Sequence, residues 1–341
     1  MERLPKYRRI KHHTPMTDQH EFATPSFRAR LVRKISQRYF ENRVSAEQTD
    51  IPAMRERLDR FARLVPVAAG VDIDPIEYAG LRAEWLRPEL APSDTVILYL
   101  HGGAYALGSC DSHRHLVSHI ARAAGVRALL PEYRLAPENR FPAALNDATR
   151  VYQQLLSDGY APRNIVIAGD SAGGGLTMST LLQIRNLGLQ QPALGCLLSP
   201  WLDLAAEGES MQTRREEDPW FSPEDLPHVA RLYCDDSQVR SPLVSPVYAD
   251  PAGLCPIHIQ VGDHEILLSD SERLVENIRR AGGDVGLEVW PDMWHVFQAF
   301  VVVMPESQLA VNKLAARIRK GLGAARGSSG SLTGTREIHP G

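Results

Sequence analysis

Cysteine is scarce in this chain: the 341 residues hold four, Cys110, Cys196, Cys234 and Cys255, with no C-x-x-C pair among them. That spacing excludes a zinc ribbon, a thioredoxin-type redox pair and a disulfide scaffold. A chain of this size needs no staples, so the thiols are read as reduced and the setting as cytoplasmic. Long apolar runs are missing too. No stretch approaches the roughly 20 residues that a bilayer-spanning helix requires, and the basic N-terminus lacks the apolar centre of a signal peptide, so stable membrane insertion is not expected. Charge of one sign is absent as well: 38 Lys and Arg against 41 Asp and Glu leave a net charge of −3, with no global footprint for nucleic acid. What is there is ordinary in bulk, 43% hydrophobic and 23% charged, the composition of a chain that can bury a large core.

The chain divides by pattern. Its first thirteen residues carry five Lys and Arg against one Glu, and residues 1–20 are expected to be a flexible solvated tail, with a membrane surface or an acidic partner as the alternative use. Within 21–68 two segments have helical period. Phe27, Leu31 and Ile35 step by four, and Met54, Leu58, Phe61 and Val65 by four, three and four. Each predicts an amphipathic cap helix whose apolar stripe covers core or roofs a site. From about residue 73 strands and helices alternate, with strands expected at 76–86, 95–100, 126–130, 164–168, 193–198, 257–261 and 287–290. Helices are expected at 113–124, 142–157, 174–187, 269–281 and 298–320. This rhythm argues for an α/β domain over 69–321, a mostly parallel sheet with helices on both faces. Residues 203–250 break it, acidic and proline-punctuated with a short helix near 226–233, and could add to the cap. Residues 322–341 are Gly/Ser-rich and expected to be disordered.

The chemistry begins at "NIVIAGDSAGGGLTM", where Ser171 stands between Gly169 and Gly173 at the junction of an apolar β-branched run and a helix-forming tail. Gly-x-Ser-x-Gly at a strand-to-helix corner is the nucleophile elbow, in which a strained turn lifts the hydroxyl above the sheet. An ordinary βα loop or an anion cradle on helix amides would look similar. A serine nucleophile needs oxyanion donors, a base and a group to orient the base. "HGGAYALGS", residues 101–109, follows the strand "TVILYL" in the place of an oxyanion loop, with Gly102, Gly103 and Ala104 as donors beside Ala172. His295 lies near the C-terminus, in the chain order Ser, acid, His. His115 and His119 are four apart on a predicted helix that also bears His113, but no nearby Cys or Glu completes a ligand set, so no metal is expected.

"HGGAY", "PEYRLAPENRFPAALND", "GDSAGG", "DPW" at 218–220 and "PDMWHVF" at 291–297 together resemble the hormone-sensitive-lipase family of bacterial carboxylesterases, within the α/β-hydrolases, over roughly residues 70–320. The resemblance implies a serine esterase acting on uncharged short- to medium-chain acyl esters through an acyl-enzyme. It implies no cofactor, and it casts His101 as a residue that orders the oxyanion loop without taking protons. Amide, lactone or carbamate cleavage at the same site stays open, as does a non-catalytic small-molecule binder on the same fold. The partner expected is a small-molecule ester, with no nucleic acid and with the oligomeric state open between monomer and homodimer. Two positions depart from the family pattern. Ala104 replaces the third glycine of the oxyanion loop, which is tolerable if its φ stays negative. For the acid, "VGDHEILLSD" offers Asp263, Glu265 and Asp270. The family's spacing favours Glu265, nine residues after Pro256 and thirty before His295, with Asp263 as the alternative; Asp270 is expected on the following helix.

Overall fold

The computed structural model describes residues 24–41 and 50–327; the basic tail at 1–20 and residues 328–341 lie outside them. Eight strands form one sheet in the order β1-β2-β4-β3-β5-β6-β7-β8. They are β1 Val71–Tyr78, β2 Leu81–Pro88, β3 Val96–Leu100, β4 Arg127–Pro131, β5 Ile165–Asp170, β6 Leu194–Leu198, β7 Ile257–Gly262 and β8 Val285–Trp290. From β4 to β8 all neighbours are parallel, and β1 and β2 add an antiparallel edge. The single strand expected over 76–86 is therefore a hairpin. Ala79 and Gly80, at φ +52° and +72°, make a tight turn between β1 and β2, and both positive φ values suit the right-handed twist of the pair.

The central strands are apolar throughout because both faces are covered. Side chains of β3 alternate between two cores. Val96, Leu98 and Leu100 pack with α4 (Ala143–Ser157), α5 (Ala172–Asn186) and α8 (Leu268–Arg280), while Ile97 and Tyr99 pack with α3 (Cys110–Ala124) and α9 (Pro305–Gly327). α9 continues past 321, where the Gly/Ser-rich tail was expected to begin. Two short helices, α6 Ser210–Thr213 and α7 Asp225–Tyr233, lie within 203–250.

The N-terminal segment forms α1 (Phe27–Glu41) and α2 (Ile51–Ala62). α2 is fastened by Arg55, whose guanidinium donates to Ala106 O and Ala136 O at 2.7 Å each and pairs with Glu138. α1 turns opposite to expectation. Its inward face is Ala29, Val32 and Ser36, whereas the Phe27, Leu31 and Ile35 stripe is exposed. The helix is pinned that way round by Ser26, whose N–H and hydroxyl donate to Glu306, and by Arg33, which donates to Glu217 O at 2.7 Å. Phe61 of α2 is likewise exposed.

Candidate active site

Parallel strands place the loops after β3, β5, β7 and β8 at one end of the sheet, the usual position for a ligand crevice in an α/β fold. At the end of β5, Ser171 alone turns the chain into α5. Its backbone lies at φ +53°, ψ −123°, a conformation that costs a non-glycine residue about 1–3 kcal/mol and survives only where the surroundings enforce it. Here Ser171 N–H donates to Leu198 O at 2.9 Å, and its carbonyl accepts from Gly175 and Trp201 N–H at 3.1 and 2.9 Å. Gly169 and Gly173 are steric necessities: a Cβ on the first would lie 2.3 Å from Gly173 O, and on the second 2.0 Å from Leu100 O. The hydroxyl caps no helix amide.

Register sets Leu100 of β3 beside Gly169 of β5, so the loop that follows β3 lies against the elbow. It is a left-handed turn, with Gly103, Ala104 and Tyr105 at φ +114°, +55° and +60°. Ala104 thus does not keep the negative φ expected of it. The turn closes through Leu107 N–H to Gly103 O at 2.7 Å, and left-handed backbone is what brings those atoms together, at roughly 1–2 kcal/mol for each non-glycine residue. Gly102 N–H is engaged by Asp170 Oδ1 at 3.1 Å, which removes it from the free donors. The N–H groups of Gly103 and Ala104 donate to no described residue, and Ala172 N–H belongs to the unpaired first turn of α5.

His101 supports this loop from beneath. Its ring stacks on Tyr133 at 4.2 Å between centroids, and Nδ1–H donates to Gly102 O at 2.9 Å. Burial pushes its pKa down to about 3, so it stands as a neutral imidazole. Of the α3 histidines, His113 accepts from Gly102 N–H at 3.2 Å and lies 3.4 Å from Asp170, whereas His115 donates to Ala299 O at 3.1 Å. Replacing Gly103 by alanine would put a Cβ 2.4 Å from Leu107 O at a φ that alanine resists. The clash displaces the loop, and the expected outcome is a fall in kcat of about 10²–10³, the scale of one oxyanion donor put out of position. A Gly103→Ala protein that melts cooperatively and keeps its kcat would detach this loop from the chemistry.

His295 follows β8 and is 2% exposed. Its Nδ1–H donates to Glu265 Oε2 at 3.0 Å, and no described residue bonds Nε2. Glu265 is buried, and its other oxygen accepts from the Ser199 hydroxyl at 2.7 Å and from Gly262 N–H at 2.6 Å. Asp263 points elsewhere, towards His264 at 3.8 Å. Asp270 lies on α8 and accepts from Leu202 and Asp203 N–H, both at 2.9 Å.

Three contributors escaped the sequence reading. Ser199, at φ +44° after β6, donates to Glu265 and accepts from Val296 N–H at 3.0 Å, tying the acid to the residue after the histidine. Asp218 of "DPW" accepts from Trp220 and Phe221 N–H at 2.9 and 3.1 Å with one oxygen, and from Ile266 N–H at 3.0 Å with the other. Burial pushes its pKa up to about 6. The aromatics it positions stand edge-on to the His295 ring, Phe221 at 4.8 Å and Trp220 at 6.0 Å. The third is Arg55, which ties α2 to the oxyanion loop at Ala106 O. All three act on backbone groups distant in sequence, so no local motif announces them; only the acidic residue heading "DPW" offered a hint.

Sequence and fold comparisons place the chain among known hydrolases. A family model described as an alpha/beta hydrolase fold matches residues 97–299. The chain is 42% identical over 250 residues to an acetyl-hydrolase of Streptomyces hygroscopicus, covering 73% of this chain and 83% of that one. It is 37% identical over 264 residues to an esterase of Acinetobacter venetianus, covering 77% and 87%. An esterase from the bacterial hormone-sensitive lipase family superposes with a TM-score of 0.84 at 39% identity, covering 88% of this chain and all of that one, as 100%. EstE5, solved after soaking with p-nitrophenyl butyrate, gives 0.82 at 35% identity over 87% and 99%. With strand order, elbow and kinship in agreement, the chain belongs to the α/β-hydrolase family, as a carboxylic ester hydrolase related to bacterial hormone-sensitive lipase.

Proposed function

We propose that this hydrolase cleaves short- to medium-chain acyl esters by acyl transfer through Ser171, with His295 as base and Glu265 as the acid that orients it. The observation that carries this reading is the buried 3.0 Å contact between His295 Nδ1 and Glu265, which leaves Nε2 without a described partner, in a site whose β5 loop carries Ser171 on a strained elbow. A donor on Nδ1 fixes the tautomer in which Nε2 bears a lone pair, the form a general base needs. His295 then takes the Ser171 proton as the oxygen attacks the ester carbonyl, and returns it to the leaving alcohol. Water, deprotonated by the same ring, releases the acid. The negative oxygen of each tetrahedral intermediate would be met by Gly103, Ala104 and Ala172 N–H. No step calls for a cofactor.

Chain length is proposed on kinship: one relative is named an acetyl-hydrolase, and EstE5 was soaked with a butyrate ester. A p-nitrophenyl series from acetate to laurate tests it. Activity peaking at or below the middle of the series is expected, and a maximum at laurate overturns the length assignment. An amide, lactone and carbamate panel on the same preparation decides the leaving group. We further place the protein in the cytoplasm, reading its four free, buried cysteines as reduced thiols. Deleting residues 1–20 is expected to leave turnover of soluble esters within about twofold, since the deletion ends before both N-terminal helices and removes no residue that packs in the cores described above. A large fall in kcat would give that segment a part in the site.

A further inference from the structure

The exposed face of α1 has no role in the chemistry above. Phe27, Leu31 and Ile35 are 72%, 47% and 60% exposed, on the side of the helix opposite the buried Ala29 and Ser36. Single exposed apolar residues need no explanation, but three in one i, i+4 row do. Exposed cations flank the row, Arg28 on one side, Arg30 and Lys34 on the other. Residues 1–41 hold ten Lys and Arg against four Asp and Glu, in a chain whose total is −3. An apolar stripe edged by cations on a helix of opposite polarity to the rest of its chain is the pattern of an interfacial helix.

We propose that α1 seats the protein on a lipid surface rich in anionic phospholipid, its stripe in the acyl boundary and its cations among the headgroups. Charge decides between occupants. A second copy related by a two-fold axis would bring the same cationic rows face to face. Residues 1–20 are themselves basic and repel the helix. A negatively charged surface with an apolar interior satisfies both parts at once. The inner face of α1 adds a reason for the location: Ala29 and Val32 pack in the cluster of Met293, Trp294 and Trp220, and Trp220 stands on the His295 ring. Lipid on the outer face would therefore lie one helix and one side-chain layer from the reacting atoms.

The test is sedimentation of the full-length protein with vesicles of phosphatidylcholine alone or mixed with phosphatidylglycerol. Neither the binding nor its controls depend on ester hydrolysis, so the result stands apart from the proposed chemistry. Binding to the mixed vesicles is expected to exceed that to phosphatidylcholine by about tenfold or more and to weaken with salt. The triple variant Arg28→Glu, Arg30→Glu, Lys34→Glu should weaken it on the order of a hundredfold. The triple variant Phe27→Ser, Leu31→Ser, Ile35→Ser should weaken it about tenfold or more. Because the native cysteines are buried, an Ile35→Cys protein can be labelled selectively with an environment-sensitive dye. A blue shift on anionic vesicles supports the proposal even if a triple variant folds poorly. Equal binding to both vesicle types, an unshifted dye, or wild-type affinity in the cationic variant would overturn it. So would a wild-type dimer that the apolar variant dissociates, since the stripe would then belong to a second copy.

Discussion

Ser171→Ala is expected to lower kcat for a p-nitrophenyl ester by about 10⁶, the loss a serine hydrolase suffers when its nucleophile is removed. Substrate should still bind, because the hydroxyl makes no contact that holds the pocket together; it caps no amide, and the turn is set by main-chain bonds to Leu198, Gly175 and Trp201. The same argument predicts a folded variant with an unchanged or slightly raised melting temperature. A fluorophosphonate that labels the wild type should fail to label the variant, which ties lost turnover to lost covalent chemistry. More than a tenth of wild-type kcat in a folded Ser171→Ala protein would place the nucleophile elsewhere.

Glu265→Gln is expected to cost about 10⁴ in kcat, and the structure says how. Oε1 of Glu265 faces two donors, the Ser199 hydroxyl and Gly262 N–H. In the glutamine variant the amide oxygen must stay on that side, which turns the NH₂ group towards His295 Nδ1. The ring can then accept there only by moving its proton to Nε2, the atom that has to receive the serine proton. The variant should fold normally and bind substrate, yet be unable to start the reaction near neutral pH. Asp263→Asn, in a loop facing His264, should change kcat by less than about threefold. The reverse outcome, an inert Asp263→Asn beside a near-normal Glu265→Gln, would move the orienting role to Asp263.

What could be read from the sequence depended on how local the determining physics is. The elbow after β5 was legible because its requirements are consecutive: an apolar strand, a glycine where any Cβ would run into Gly173 O, the serine, and a second glycine where a Cβ would run into Leu100 O. Glu265 was accessible only through the family's spacing, nine residues after Pro256 and thirty before His295, and its 3.0 Å contact with His295 Nδ1 fits that count. The β1–β2 hairpin was not, because its turn is Ala79-Gly80 and not the Asn-Gly or Asp-Gly that advertises two positive φ values. Ala104 misled for a related reason: the left-handed turn at 103–105 is enforced by its closing bond from Leu107, and residue type alone argues against it. The orientation of α1 was beyond reach. Periodicity shows that a helix has an apolar stripe, whereas the contacts of Ser26 and Arg33 with residues far along the chain decide which way it faces.

Asp218 has a consequence for how the molecule breathes. One of its oxygens grips Ile266 N–H, beside Glu265. Nearby, the Ser210 hydroxyl donates to Ile266 O at 2.5 Å, Asp270 holds Leu202 and Asp203 N–H, and Arg273 pairs with Asp203. The stretch 202–221 and the acid loop are thereby one hydrogen-bonded unit. Displacing that stretch to admit substrate would carry Glu265 off His295, so a motion there cannot open the crevice and leave the enzyme competent. Substrate entry that keeps the enzyme competent must therefore leave the 202–221 unit in place. In hydrogen exchange the Ile266 amide should therefore rank with those of the central strands, opening only with the whole fold.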